Sequence, residues 1–445
     1  MAVRLHKMKS QVSSFAREHK AALIVLGLLL IIRLLALYSL GFTYSLDSDD
    51  AAYIQSGIEF ARTGTITMHD SYPSAQIMPG MTVLIGLFVL VFGEGKFLWL
   101  SLKLLWLVMD LGTAWLIYRC VSLYVPKWCG VIGMLALFRA DFIWMNNLIL
   151  TETPFMLALT AMVYFTLRMG REPGYRYFWP CLVAYMAGLM FKANIALYPL
   201  FALVYLLVVK YDRKLLVKQC LVLAGIVLCF VIPWSVRNYI HFQTFIPLTY
   251  GAGNPTLMGT YQGMGYPSDE SLDYETNVQE VVREKYAKYY GEDGEVLPQY
   301  RRYVALEEDG IEASYRKQVW WNTDYKQMLY SYGVMKPQMM IESVFYWDTV
   351  FDQPLETLNQ VQRVDLYLCI ATFVAAFILK RHRKPVLFLA AVYLGNIYIY
   401  AMTYAFSRYN ASLMSMRFIL IGLGSALILS LIKKGMDTLA VQKHK

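Results

Sequence analysis

Residues 21–40 read AALIVLGLLLIIRLLALYSL, an apolar run in which Arg33 is the only charged side chain. About 20 apolar residues, as one helix, are long enough to cross the hydrocarbon core of a bilayer. The run follows a leader with five basic residues: Arg4, Lys7, Lys9, Arg17 and Lys20. Because the cytoplasmic flanks of membrane helices carry an excess of Lys and Arg, this leader predicts that the N-terminus lies inside the cell.

The composition of the whole chain agrees with a membrane protein. Hydrophobic residues make up 57% of the 445 residues and charged residues only 16%, and the mean hydropathy of +0.41 is too apolar for a soluble domain. The formal charge of +9 would fit a nucleic-acid-binding protein. However, the basic residues cluster beside apolar runs, as membrane topology requires. We therefore expect a lipid bilayer, and no nucleic acid, as a partner.

Apolar runs of spanning length recur along the chain. They predict an all-α polytopic membrane protein with about ten transmembrane helices. After the first run, they cover residues 97–118, 129–147, 153–168, 178–191, 195–209, 216–236, 365–380, 385–404 and 411–432. With these runs as spans, the loops rich in Lys and Arg all face the cytoplasm.

A shorter apolar run at 79–93 begins with Pro79-Gly80 and decides the topology. If it crossed the bilayer, the basic loops that follow would face outward, against the positive-inside rule. We therefore predict a re-entrant or interface-lying helix on the outer face. Both termini are then cytoplasmic, and the functional surface is external, at the cell membrane.

This topology divides the chain into three parts. Residues 1–240 form an N-terminal transmembrane module with a first external loop, 41–95, and a short external loop, 146–153. Residues 241–364 form an external region with a small helical subdomain, since much of it is polar and rich in good helix formers. Residues 365–445 form the C-terminal transmembrane helices.

An acidic group follows directly after the first apolar run, where Asp47, Asp49 and Asp50 fall within four residues. Carboxylates crowded on a partly dehydrated surface suit general-base chemistry. The same oxygens could ligate a divalent metal, or an Asp could simply cap a helix. If a helix begins at Asp49, then Asp49 and Tyr53 share one face and Asp50 points elsewhere.

Glu152 is a second acidic candidate, within the sequence LTETP at 150–154. It opens a predicted span on the same outer face as Asp49, and its structural alternative is a place in a capped first helical turn. Together with Asp49 and Asp50, Glu152 could complete a divalent-metal site. The sequence therefore allows a divalent metal as a cofactor but does not require one.

Basic residues are scarce on the predicted outer face. Lys192 lies at a tight turn between two apolar runs, Arg237 ends a span, and Arg408 precedes the last span. A cation at an outer interface is a natural partner for a lipid phosphate. A single one more often extends toward lipid headgroups, but with three on one face we expect at least one to bind phosphate.

Several short motifs occur together in this chain. They are DDAAY at 49–53, MPG at 78–80, Glu152 at the start of a span, PWSVRNY at 233–239, FIPL at 245–248, Gly253-Asn254 and Arg408-Tyr409. In combination they resemble the polytopic GT-C glycosyltransferases, nearest to family 39 with the protein O-mannosyltransferases and the lipid A aminoarabinose transferases. The resemblance covers roughly residues 20–260 and 400–430. Ile77-Met78 depart from the pattern, because relatives often carry a charged residue or a second Pro there.

The resemblance implies both a fold and an activity. The fold would be a GT-C-like bundle, and the reaction would move a sugar, with inversion, from a polyprenyl phosphate to a glycan, lipid or protein acceptor outside the membrane. Asp49 would be the catalytic base, with Glu152 and Asp50 as the other catalytic carboxylates. The residues expected to bind substrate are Asp47, Tyr53, Lys192, Arg237, Asn238, Asn254, Arg408 and Tyr409.

A transporter or flippase of lipid-linked glycans is the alternative function. Charged or broken helices at the bilayer midplane would mark it, and Lys103 and Asp110 in the second apolar run fit that description. The other distinctive charges lie at the outer rim, which favours an enzyme. A glycan ligase or polymerase would typically use basic and His residues in a large external loop, but residues 265–364 contain no His.

Overall fold

The computed structural model describes residues 13–347 and 351–443, and within them the chain is helical without a β-strand. The α-helices are, in chain order, α1 (Lys20–Leu40), α2 (Asp49–Thr63), α3 (Gly80–Phe92), α4 (Lys96–Val121), α5 (Lys127–Leu135), α6 (Ala140–Met145), α7 (Glu152–Arg171), α8 (Phe178–Phe191), α9 (Tyr198–Val208), α10 (Arg213–Phe242), α11 (Gly253–Met258), α12 (Glu280–Lys285), α13 (Arg301–Tyr330), α14 (Lys336–Glu342), α15 (Leu355–Ile378), α16 (Arg383–Ala401), α17 (Ser407–Ala411) and α18 (Met414–Lys443). The all-α prediction is therefore confirmed.

Six of these helices, α1, α4, α10, α15, α16 and α18, are long and apolar enough to cross a membrane. Each overlaps one of the ten predicted spans, and the chain is a multi-pass membrane protein. The other predicted spans lie in helices that are shorter, interrupted or less apolar: 129–147 in α5 and α6, 153–168 in α7, 178–191 in α8 and 195–209 in α9. By length and composition alone, six helices of the described residues are clear spans, and the shorter apolar helices keep the count roughly consistent with the predicted bundle.

The predicted span over 129–147 is interrupted in the structure. α5 ends at Leu135, a 3-10 turn follows, and Arg139 has an extended backbone (φ −60°, ψ 142°) before α6 begins. The Arg139 guanidinium lies 2.9 Å from Asp141 and 2.7 Å from Asp365 on α15. A buried cation needs partners of this kind, so ion pairing competes with helix continuity at this position.

The short apolar run at 79–93 forms α3. Its 13 residues extend over about 20 Å, which is too short for a straight helix to cross a bilayer. α3 packs against α2 through two glycines. A Cβ atom on Gly57 would lie 2.3 Å from Ile85, and one on Gly86 would lie 2.6 Å from Phe60. The close approach makes α2 and α3 one packed unit, which fixes the direction of Asp49 at the start of α2.

Residues 243–347 form a helical region. A tyrosine-rich apolar cluster that includes Tyr303 of α13 joins this region to Phe242 of α10 and to Ala75 of the loop before α3. This region also contacts the loop between α16 and α17. Lys336 donates to the carbonyl oxygen of Thr403, and the Gln262 side chain exchanges hydrogen bonds of 2.7 and 3.1 Å with the backbone of Ala405. This region therefore holds the segment that leads into α17.

We predict that the loop before α3 and the region after α11 are external. Cysteines introduced at Ser71 and Ser268, both exposed, are expected to react with a membrane-impermeant maleimide in intact cells. A cysteine at Ser122, after α4, is expected to react only after permeabilisation. The unmodified chain measures the background from the native thiols. Labelling of the Ser122 variant from outside would contradict the orientation.

Candidate functional site

Four charged side chains from distant parts of the chain meet at one cavity of about 340 Å³. Asp49 and Glu152 are the first residues of α2 and α7, Lys192 directly follows α8, and Arg408 lies in α17. Helix N-termini favour anionic groups and helix C-termini favour cations, so the two carboxylates and Lys192 sit where the helix dipoles stabilise them. Tyr53 and Tyr409 complete this part of the wall.

The four charges alternate in sign along a continuous chain of ion pairs. Arg408 NH1 donates to Asp49 Oδ2 at 2.6 Å, and Arg408 Nε donates to Glu152 Oε1 at 2.9 Å. Lys192 Nζ donates to the same Glu152 oxygen at 2.8 Å. Arg408 thus bridges the two carboxylates, a task that suits the flat, multi-donor guanidinium group.

The two carboxylates differ in their access to the cavity. The Glu152 side chain is completely buried and accepts two charge-assisted hydrogen bonds, which keep it ionised. The Asp49 side chain is 33% exposed and pairs with one cation only. Asp49 is therefore the more accessible of the two carboxylates.

His69 is a site residue that the sequence analysis did not single out. Its Nε2 atom lies 3.7 Å from Asp49 Oδ1, on the side of Asp49 away from Arg408. Burial lowers the pKa of the His69 imidazole, although the charge of Asp49 acts in the opposite direction. One signal could have found it, since His69 is the only histidine in the predicted external loop 41–95.

Asp50 and Asp47 lie outside the cavity wall. Asp50 is completely buried, and its carboxylate accepts hydrogen bonds from Ser45 Oγ and from the backbone N–H groups of Leu46, Ser48 and Ala51. It holds the turn before α2, and this occupies both of its oxygens. Asp47 is exposed, with a positive φ of 51°.

Arg237, Asn238 and Asn254 also lie outside the wall, but they position it. Arg237 donates to the carbonyl oxygen of Ser74 at 2.8 Å, and Asn238 Nδ2 donates to that of Ile246 at 2.9 Å. Asn254 donates to Asp309 of α13 at 3.0 Å. The PWSVRNY motif therefore fixes the two loops that supply Gln76–Met78 and Thr249–Ala252 to the cavity.

The glycines after that motif permit close contact with neighbouring backbone. A Cβ atom on Gly251 would lie 2.4 Å from the carbonyl oxygen of Gln76, and one on Gly253 would lie 1.7 Å from that of Leu306 in α13. No larger residue fits at either position without a backbone shift. The segment therefore lies tightly packed between the loop before α3 and helix α13.

The carboxylates proposed as metal ligands are not assembled into a metal site. Arg408 lies between Asp49 and Glu152, and Asp50 is turned into its own loop. In residues 13–347 and 351–443, no group of three or more His, Cys, Asp or Glu side chains is arranged to hold a metal ion. The cavity wall instead contains two anions and two cations, which are paired with one another.

The middle of the chain matches a known family at the sequence level. Residues 76–236 match the family described as dolichyl-phosphate-mannose-protein mannosyltransferase. The matched segment is less than half of the chain and contains Glu152 and Lys192, but neither Asp49 nor Arg408. No curated protein matches the sequence significantly.

Solved structures share the fold. The archaeal oligosaccharyltransferase AglB from Archaeoglobus fulgidus, in complex with an inhibitory peptide and a dolichol-phosphate, aligns with a TM-score of 0.55 at 12% identity, over 94% of this chain and 52% of AglB. This chain thus spans about half the length of AglB. ArnT from Cupriavidus metallidurans, bound to undecaprenyl phosphate, aligns with a TM-score of 0.43 at 13% identity, over 92% of this chain and 78% of ArnT. At such identities the similarity to AglB shows the fold alone.

Proposed function

We propose that this chain, which has the fold of the GT-C glycosyltransferases, is a membrane enzyme that transfers a sugar from a polyprenyl phosphate to a hydroxyl acceptor on the outer face of the membrane. One observation carries the proposal. An accessible carboxylate, Asp49, lies beside two cations, Lys192 and Arg408, in a cavity at the helix ends. General-base catalysis and stabilisation of a leaving phosphate need this combination.

In the proposed reaction, Asp49 accepts the proton of the acceptor hydroxyl group. At the same time, the oxygen of that hydroxyl group attacks C1 of the sugar. The bond from C1 to the phosphate oxygen breaks, and the polyprenyl phosphate leaves from the opposite side, which inverts the anomeric configuration. Lys192 and Arg408 stabilise the negative charge that develops on the phosphate. The arriving phosphate competes with Asp49 for Arg408, so substrate binding frees the base.

The transporter alternative depends on Lys103 and Asp110, and both are already engaged within the bundle. Asp110 forms a buried ion pair of 2.9 Å with Arg33. Lys103 Nζ donates to the backbone carbonyl oxygens of Gly41 and Tyr44 at 3.2 and 2.9 Å. These contacts tie α4 to α1 and to the first external loop, which is a structural use of the two charges.

A reconstitution experiment tests the proposal. The purified protein in nanodiscs is incubated with undecaprenyl-phosphate mannose or undecaprenyl-phosphate glucose and with a cell-envelope extract as the source of acceptors. We expect mass spectrometry to detect release of undecaprenyl phosphate that depends on the extract. Movement of the intact donor between the leaflets of proteoliposomes, without any release, would instead support a flippase.

A further inference from the structure

Two polar atoms in the wall of the cavity have no hydrogen-bond partner among the described residues. They are Glu152 Oε2 and Tyr400 Oη, and both are shielded from bulk water. Leaving a buried polar atom unpaired is unfavourable, and native structures do it rarely. Two such atoms in one wall therefore indicate that a ligand completes the site.

The two atoms lie in the same part of the cavity. The Tyr400 ring stacks on Tyr409, and the Tyr409 ring lies 5.7 Å from Nζ of Lys192, which donates to Glu152. Glu152 Oε1 is already occupied by Lys192 and Arg408, so only Oε2 is left for a ligand. Oε2 is purely an acceptor, whereas the Tyr400 hydroxyl both donates and accepts.

An aromatic surface borders these atoms. The rings of Tyr400 and Tyr409 are stacked, with centroids 4.5 Å apart and an angle of 15° between their planes. This pair presents an apolar ring beside hydroxyl and carboxylate groups. A ligand that fits must offer O–H donors at its edge and C–H groups on its face, and a sugar ring has both.

We propose that Glu152 Oε2 and Tyr400 Oη form the subsite for the transferred sugar, and that they bind its ring hydroxyl groups. This inference rests on the proposed function and extends it from the carrier phosphate to the sugar. An ionised Glu152 accepts hydrogen bonds from neutral hydroxyl groups and repels a carboxylate at the same place. The donor sugar is therefore a hexose or pentose that presents hydrogen-bond donors and carries no negative charge.

Tyr400→Phe tests the subsite, because it removes the hydroxyl group and keeps the stacked ring. Affinities for bare undecaprenyl phosphate and for undecaprenyl-phosphate mannose and glucose are measured in nanodiscs for both proteins. We expect Tyr400→Phe to weaken binding of a sugar-bearing lipid about threefold to tenfold, the size of one neutral hydrogen bond. Binding of the bare lipid should not change. Tyr367→Phe, at an exposed position on α15, is the matched control.

Deoxy-sugar donors make the test sharper. One deoxy analogue of the bound sugar is expected to bind the wild-type protein more weakly and to show no additional loss in Tyr400→Phe, since both changes remove the same hydrogen bond. An equal loss for the bare lipid, or no loss for any donor, would overturn the subsite. If the wild-type protein did not bind bare undecaprenyl phosphate at all, the proposed function itself would fail, which is a separate result.

Discussion

Asp49→Asn is expected to lower the turnover number for sugar transfer by a factor of about 10²–10⁴, the usual effect of losing a general base. The substitution nearly preserves the shape of the side chain and its place at the start of α2. Affinity for undecaprenyl phosphate should be kept or increased, because the variant no longer holds Arg408 by charge. The measurement is single-turnover release of undecaprenyl phosphate, together with a separate binding titration.

Two neighbouring substitutions control for the acidic group as a whole. Asp47→Asn changes an exposed side chain outside the cavity and should leave turnover close to normal. Asp50→Asn removes acceptors from the turn before α2, so we expect a lower melting temperature as its primary effect. If Asp49→Asn kept near-normal turnover while Asp50→Asn was inactive but fully stable, the general base would be Asp50 and not Asp49.

Arg408→Gln is expected to weaken binding of undecaprenyl phosphate by about tenfold to 150-fold, which corresponds to roughly 1.5–3 kcal/mol for a charge-assisted contact. The loss should occur with or without a sugar on the phosphate, which distinguishes it from Tyr400→Phe. Arg408→Lys should recover only part of the affinity, because an ammonium group cannot replace the bridging guanidinium between Asp49 and Glu152.

The controls for Arg408 are two arginines outside the cavity wall, Arg62 and Arg237. Arg62 forms an exposed pair with Glu94, and Arg62→Gln should leave lipid affinity unchanged. Arg237→Gln should reduce stability, because Arg237 holds the loop at Ser74. Unchanged lipid affinity in Arg408→Gln, together with a large loss in Arg237→Gln, would contradict the assignment of the phosphate to this cavity.

Neighbouring residues in the acidic group show where sequence reasoning stops. The pattern correctly placed the start of a helix at Asp49, with Tyr53 on the same face. Successive residues of a helix differ in direction by about 100°, so Asp50 had to point away from Asp49. The sequence could not show that the Asp50 carboxylate would accept four hydrogen bonds from residues around the start of α2.

The PWSVRNY motif shows the same limit in another way. It is one of the motifs that carry the family resemblance, which implies that its Arg237 and Asn238 bind substrate. In the structure they hydrogen-bond to the carbonyl oxygens of Ser74 and Ile246, and so shape the cavity without lining it. A motif records that residue types are required together, but it does not distinguish contact with a ligand from support of the loop that makes it.

The sequence by itself determined the membrane class, the helical architecture and the residue types of the candidate site, because apolar length and clustered charge are local properties that single segments carry. Only the tertiary structure decided that Arg408 meets Asp49 across a sequence separation of 359 residues, and that His69 and Tyr400 join them. It also decided that 129–147 is interrupted at Arg139. These outcomes depend on which charges the packed helices bring within hydrogen-bond distance, and pairing of buried charges overrides local helix propensity.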